Sequence, residues 1–152
     1  MAGWTNRGKA RCLGGWFQAT SVPTVFYMAL ATSAVAPTAD TNTWSELTQI
    51  ATGNGYTTGG YSLSRNATDF DVGPTEVDAS DYAYIQIKDI VWTASGGNLP
   101  ASGNGARYAV LTDDNVTEGS RDVLAFFDLS SDRTVSTGQT LTLQNCELRL
   151  TE

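Results

Sequence analysis

The side chains that could do chemistry in this 152-residue chain are restricted from the outset, because it contains no histidine. That removes the residue most used as a general acid, general base or metal ligand near neutral pH. Serine-histidine and cysteine-histidine hydrolases and histidine-zinc centres are excluded with it. Paired carboxylates remain, of the kind that flank a sugar bond in glycosidases. Asp69 and Asp71 have the i, i+2 spacing of one strand face, while Asp113 with Asp114 and Asp128 with Asp132 lie in or beside turns, where aspartate is chosen for hydrogen bonds to its own backbone. None has the twelve-residue spacing of a calcium-binding EF-hand loop. The turns Gly53-Asn54-Gly55 and Gly103-Asn104-Gly105 lack the spacing of a phosphate cradle. No catalytic residue, cofactor or metal is therefore assigned, and the chain reads as a non-enzyme.

Two thiols, Cys12 and Cys146, lie near opposite ends without CxxC spacing. Free, buried cysteines are the default reading, and a bond between them stays open until geometry decides it. Asn66-Ala67-Thr68 and Asn115-Val116-Thr117 match the glycosylation sequon, but no export signal accompanies them and both read as chance matches. No apolar run is long enough to span a membrane, so a soluble protein without a membrane partner is expected.

Binding chemistry is better represented. Arg7, Lys9 and Arg11 place three of the nine cations in the first twelve residues, leaving six cations against sixteen acids in the rest. Such an acidic body repels phosphate backbones, which excludes nucleic acid as its expected partner. Trp4, Trp16 and Phe17 load the same opening segment with large apolar groups. Together with Arg7, Lys9 and Arg11 they form the candidate partner-binding set, tethered either to the chain's own core or to a neighbouring subunit. A second candidate is an aromatic patch of Tyr82, Tyr84 and Trp92, read as one face of a strand. It would serve as a carbohydrate platform or an inter-subunit contact, or else pack against a second layer.

The elements that must position these groups are mostly strands. Val22 to Thr32 is apolar on both faces, as a buried central strand is. Residues 61–66 alternate as a half-exposed strand, and residues 82–93 read as one strand with Ala83, Ile85, Ile87 and Val91 facing the core. Asp69 to Asp81 reads as a surface loop. Arg107 to Leu111, Asp122 to Leu129 and Thr140 to Leu150 are three more strands. In the last, Leu141 and Leu143 differ in parity from Cys146, Leu148 and Leu150, which predicts a bulge or break at Gln144-Asn145. Thr43 to Glu46 has the capping-box pattern, predicting a short helix over about 43–52 that ends at Gly53. Gly8, Gly14 and Gly15 weaken any helix in the opening segment. The fold class is all-β: a single antiparallel sandwich or jelly-roll-like domain over residues 21–152, with an N-terminal arm or anchoring segment over residues 1–20.

The order of these segments resembles small tailed-bacteriophage virion proteins. The likeness is carried by NRGKARCL (Asn6 to Leu13), VPTVFYMAL (Val22 to Leu30), PTADTNTWSEL (Pro37 to Leu47), GNGYTTGG (Gly53 to Gly60), IKDIVWTASGG (Ile87 to Gly97), ARYAVLTDD (Ala106 to Asp114) and SDRTVSTGQTLTL (Ser131 to Leu143). It covers most of the chain. The resemblance implies a virion structural protein: a capsid decoration or cement protein, or a tail, neck or fibre accessory. It also implies β-rich subunits that assemble as oligomers, often trimers, on the major capsid protein or another virion component. A carbohydrate-binding module for host attachment is the competing expectation.

Overall fold

Antiparallel pairing organises the chain. The computed structural model describes residues 2–151. In chain order the elements are β1 (Ala2–Trp4), α1 (Asn6–Phe17), β2 (Val25–Ala31), β3 (Tyr61–Ser64), β4 (Val72–Val77), β5 (Tyr82–Ile87), β6 (Ile90–Thr93), β7 (Ala106–Thr112), β8 (Val123–Arg133), β9 (Thr140–Leu143) and β10 (Cys146–Thr151). They form a five-stranded sheet in the order β1-β8-β7-β2-β3, a three-stranded sheet β10-β5-β4 and a two-stranded sheet β6-β9. No helix among the described residues is long and apolar enough to cross a membrane.

β2 is the interior strand that its two apolar faces predict, paired to β3 on one side and β7 on the other. Met28 and Leu30 enter the main core, where Leu63, Ile87, Ile90, Trp92, Leu143 and Leu148 bring residues of all three sheets together. Ala29 and Ala31 point the opposite way, into a second core with Trp44, Leu47, Val110, Val123 and Phe126. The Tyr56 hydroxyl, buried in the main core, is satisfied: it accepts the Leu30 N–H at 2.9 Å.

Four expectations need correction. The helix over 43–52 is a single 3-10 turn, Trp44–Glu46. Its capping carboxylate is in place, with Thr43 N–H donating to Glu46 Oε1 at 2.9 Å. The following residues are instead drawn to the end of β2: Thr32 N–H reaches Thr48 O at 2.8 Å and Ile50 N–H reaches Leu30 O at 3.1 Å. Sheet-like bonds to a buried strand outweigh a local helix preference worth a few tenths of a kcal/mol, about 0.5, per residue. Secondly, residues 69–81 are not all loop, since Val72–Val77 pairs with β5 as an exposed edge strand. Thirdly, residues 82–93 are two strands interrupted at Lys88-Asp89. The interruption reverses parity, so Val91 is exposed while Ile90 and Trp92 are buried.

Finally, the helix lies where the glycines argued against it. Within the segment read as an arm, β1 is hydrogen-bonded to β8 in the large sheet and residues 6–17 form α1. Thr5, fully buried, caps the helix by accepting the Gly8 N–H at 2.9 Å, and its hydroxyl donates to Val123 O at 2.5 Å. Gly8 is required for packing rather than for conformation: a Cβ there would lie 2.1 Å from Leu124 O. Gly8→Ala should therefore destabilise the protein by about 1–3 kcal/mol through overpacking, although helix propensity alone predicts a gain of about 0.8–1.0 kcal/mol. Urea unfolding of the variant decides between the two signs.

The predicted break at Gln144-Asn145 is present. β9 ends at Leu143, Asn145 has φ 54° and β10 begins at Cys146 in a different sheet.

Candidate functional site

The opening segment and the sheet meet through a buried acid. Asp122, only 4% exposed, sits just before β8 and takes both arginines of α1: Arg7 Nε lies 3.0 Å from its Oδ1, and Arg11 pairs with its Oδ2. Residues four apart on a helix share a face, so the two cations grip one carboxylate together. Asp122 N–H in turn donates to Asp113 Oδ1 at 2.9 Å, and Asn115 N–H reaches the same oxygen at 3.4 Å. The helix is clamped to the β7–β8 connection, and its arginines serve that clamp.

This orientation decides what α1 offers to solvent. Gly8 and the two arginines occupy the inward side, while Leu13, Trp16 and Phe17, spaced i, i+3, i+4, occupy the outward side. They are 60%, 86% and 80% exposed, and Val22 just beyond is 40% exposed. Lys9 is exposed on the same helix. Of the six residues singled out from the opening segment, Lys9, Trp16 and Phe17 point outward. Trp4, Arg7 and Arg11 are engaged within the chain. Trp4 packs against the main core and donates from Nε1 to Arg149 O at 2.8 Å. Leu13 and Val22 lie outside that candidate set. The spacing of Leu13 with Trp16 and Phe17 would have found Leu13, had the helix been assigned.

The aromatic patch divides. Tyr82 and Tyr84 are half-buried neighbours on the outer face of β5, with ring centroids 6.1 Å apart. Trp92 is buried in the main core, its ring 6.3 Å from Tyr56 and 6.4 Å from Tyr61. It therefore packs against a second layer and forms no patch with the tyrosines. β10 completes the tyrosines' surface, because Arg149 and Thr151 stand opposite Tyr84 and Tyr82 in the antiparallel register. The Arg149 guanidinium lies 4.7 Å from the Tyr82 ring centroid and pairs with Glu147 Oε2.

Asp69, Asp128 and Asp132 have structural partners. The Asp69 carboxylate lies 2.5 Å from Lys88 Nζ and accepts the Ser64 N–H at 2.6 Å, which hold its pKa below the usual carboxylate value. Asp128 takes a two-pronged contact from Arg107 at 2.8 and 3.2 Å, and Asp132 accepts the Ser33 hydroxyl at 3.1 Å. Among the described residues, no three of Cys, Asp and Glu form a group that could hold a metal ion. Neither cysteine is disulfide-bonded. Cys146 is buried, and burial pushes its thiol pKa up to about 12; Cys12 is exposed rather than buried, because it rides on α1.

Asp113 carries the opposite signature from Asp69. Burial raises its pKa, and the nearby Asp122 charge adds to that, against the hydrogen bonds from Asn115 and Asp122 and the attraction of Arg11. The native state then holds the proton more tightly than the unfolded chain, so this group's contribution to stability falls as pH rises above the unfolded value of about 3.9. Asp113→Asn keeps an amide oxygen for both N–H donors and removes the desolvated charge. The variant should melt higher than the parent at pH 7, with the difference closing near pH 3.5; thermal melts across that range check it.

Comparison with protein-family models, with characterised proteins and with solved structures finds no match to this chain. The site must be read from its own geometry.

Proposed function

We propose that this protein is a bacteriophage virion structural protein, a decoration or cement subunit that binds the head shell through α1 and stabilises it by protein-protein contacts. The observation that carries the reading is the outward ridge of Leu13, Trp16 and Phe17 on a helix fixed to the body by Asp122. Large apolar side chains are costly to leave in water, and a contiguous exposed set marks a surface made to be covered. A rigid mount lowers the entropy lost when that surface is covered. The resemblance of most of the chain to small tailed-phage virion proteins supplies the partner, the major capsid protein, and the setting, the virion surface. The β-rich body, read as a sandwich or jelly-roll-like subunit, carries most of the acid and faces solvent, away from the packaged nucleic acid. Assembly as a homo-oligomer, such as a trimer, would multiply a modest contact through avidity.

The test is sedimentation of purified protein with shells from which it has been stripped. Saturable binding to heads supports the proposal. Binding to isolated tails or necks alone would move the subunit to a tail or neck accessory role, and binding to neither overturns the reading.

A further inference from the structure

A second surface, remote in character from the apolar helix, lies where the edge strands of two sheets approach each other. Between β1 and β10 is a cleft of about 310 Å³ lined in part by Trp4, Phe127, Asn145, Glu147, Leu148 and Arg149. Trp4, Phe127 and Leu148 give it apolar surface, and Asn145, Glu147 and Arg149 bring polar groups to it. Glu147 and Arg149 also share the face of the β5-β10 pair on which Tyr82 and Tyr84 stand side by side. Arg149 joins the two regions, touching the Tyr82 ring on one side and the Glu147 carboxylate on the other.

We propose that this cleft and the adjoining tyrosines form a binding site for neutral oligosaccharides. A pyranose offers an apolar C–H face and a rim of hydroxyls. Tyr82 and Tyr84 match the first, while the Glu147 carboxylate, Arg149 guanidinium and Asn145 amide supply acceptors and donors for the second. The alternatives fit less well. With a net charge of -7 and Arg149 already paired to Glu147, the surface disfavours phosphates and anionic sugars. An extended peptide adding to the β10 edge would need its outward carbonyls, and that of Arg149 is taken by Trp4 Nε1. The inference concerns a different surface from α1 and stands or falls separately from shell binding.

The experiment is calorimetric titration of the full chain with short neutral gluco-, manno-, galacto- and rhamno-oligosaccharides, alongside Tyr84→Ala and Glu147→Gln. Saturable binding to at least one sugar class, weakened about tenfold or more by either substitution, is expected. Glu147→Gln keeps the site's shape and serves as the readout should Tyr84→Ala fail to fold. A variant altered only at Trp16 and Phe17 should bind the same sugar unchanged. No saturable binding to any of the sugars, binding indifferent to both site substitutions, or binding of extended peptides in their place would overturn the proposal.

Discussion

Trp92→Ala protein is expected to lose about 3–5 kcal/mol of folding stability, the range for truncating a large aromatic in a packed core. The residue is 4% exposed and packs beside two tyrosine rings, tilted to Tyr56 and edge-on with Tyr61, and it joins the small β6-β9 sheet to the main core opposite Leu141. Removing the indole deletes both its burial and these ring contacts, and a two-stranded sheet has little else with which to close the gap. At about 2–4 °C per kcal/mol for a domain of this size, the melting temperature should fall by roughly 6–20 °C. Tyr84→Ala, which truncates a half-buried residue on an outer face, should cost far less. Urea unfolding of the two variants side by side checks the contrast. A Trp92→Ala loss below about 1 kcal/mol would mean that the residue is not a core anchor.

That contrast also shows where sequence reasoning succeeded and where it stopped. β2, β7 and β8 were legible because their apolar character is local and strong, and the break before β10 was legible because parity is counted residue by residue. For Trp92, packing against a second layer was one of the open readings, and the side of the strand it occupies was not legible because that depends on an interruption at Lys88-Asp89. Lys88 there leaves the strand pattern to pair with Asp69, nineteen positions earlier in the chain. Alternation gives no warning of a contact at that range.

The helix was missed for a similar reason. Glycine at position 8 is a poor helix former considered alone, yet it is the residue that allows α1 to lie against Leu124 O. The capping box at Thr43 was a true local signal overruled by hydrogen bonds to β2. In both places long-range contacts outweighed propensities of less than about 1 kcal/mol. For the candidate site, residue types were informative and directions were not. The arginines of the opening segment read as part of the partner-binding set, but Asp122, 111 positions after Arg11, engages them within the chain. By engaging them, it leaves the apolar side of α1 to face out.

Replacing Trp16 and Phe17 together by serine should separate folding from assembly more completely than any other change. Both side chains are at least 80% exposed, so the variant should unfold within about 0.5 kcal/mol of the parent. Deleting the opening residues would not be equivalent, because it would also remove β1 and the buried Thr5 cap. If the two rings are covered at the shell, each contributes about 1.5–3 kcal/mol, and losing both weakens a single contact by roughly 10²- to 10⁴-fold. Avidity in an oligomer steepens the loss, since every subunit contact weakens at once. Lys9→Ala, on the same helix, should have a smaller effect that disappears at high salt, because an exposed charge pair is worth at most about 1 kcal/mol and is screened. The comparison is made by sedimentation with stripped shells at matched protein concentration. Full occupancy by the double variant would show that the exposed ridge of α1 is not the contact, and would remove the physical basis for assigning this protein to a capsid surface.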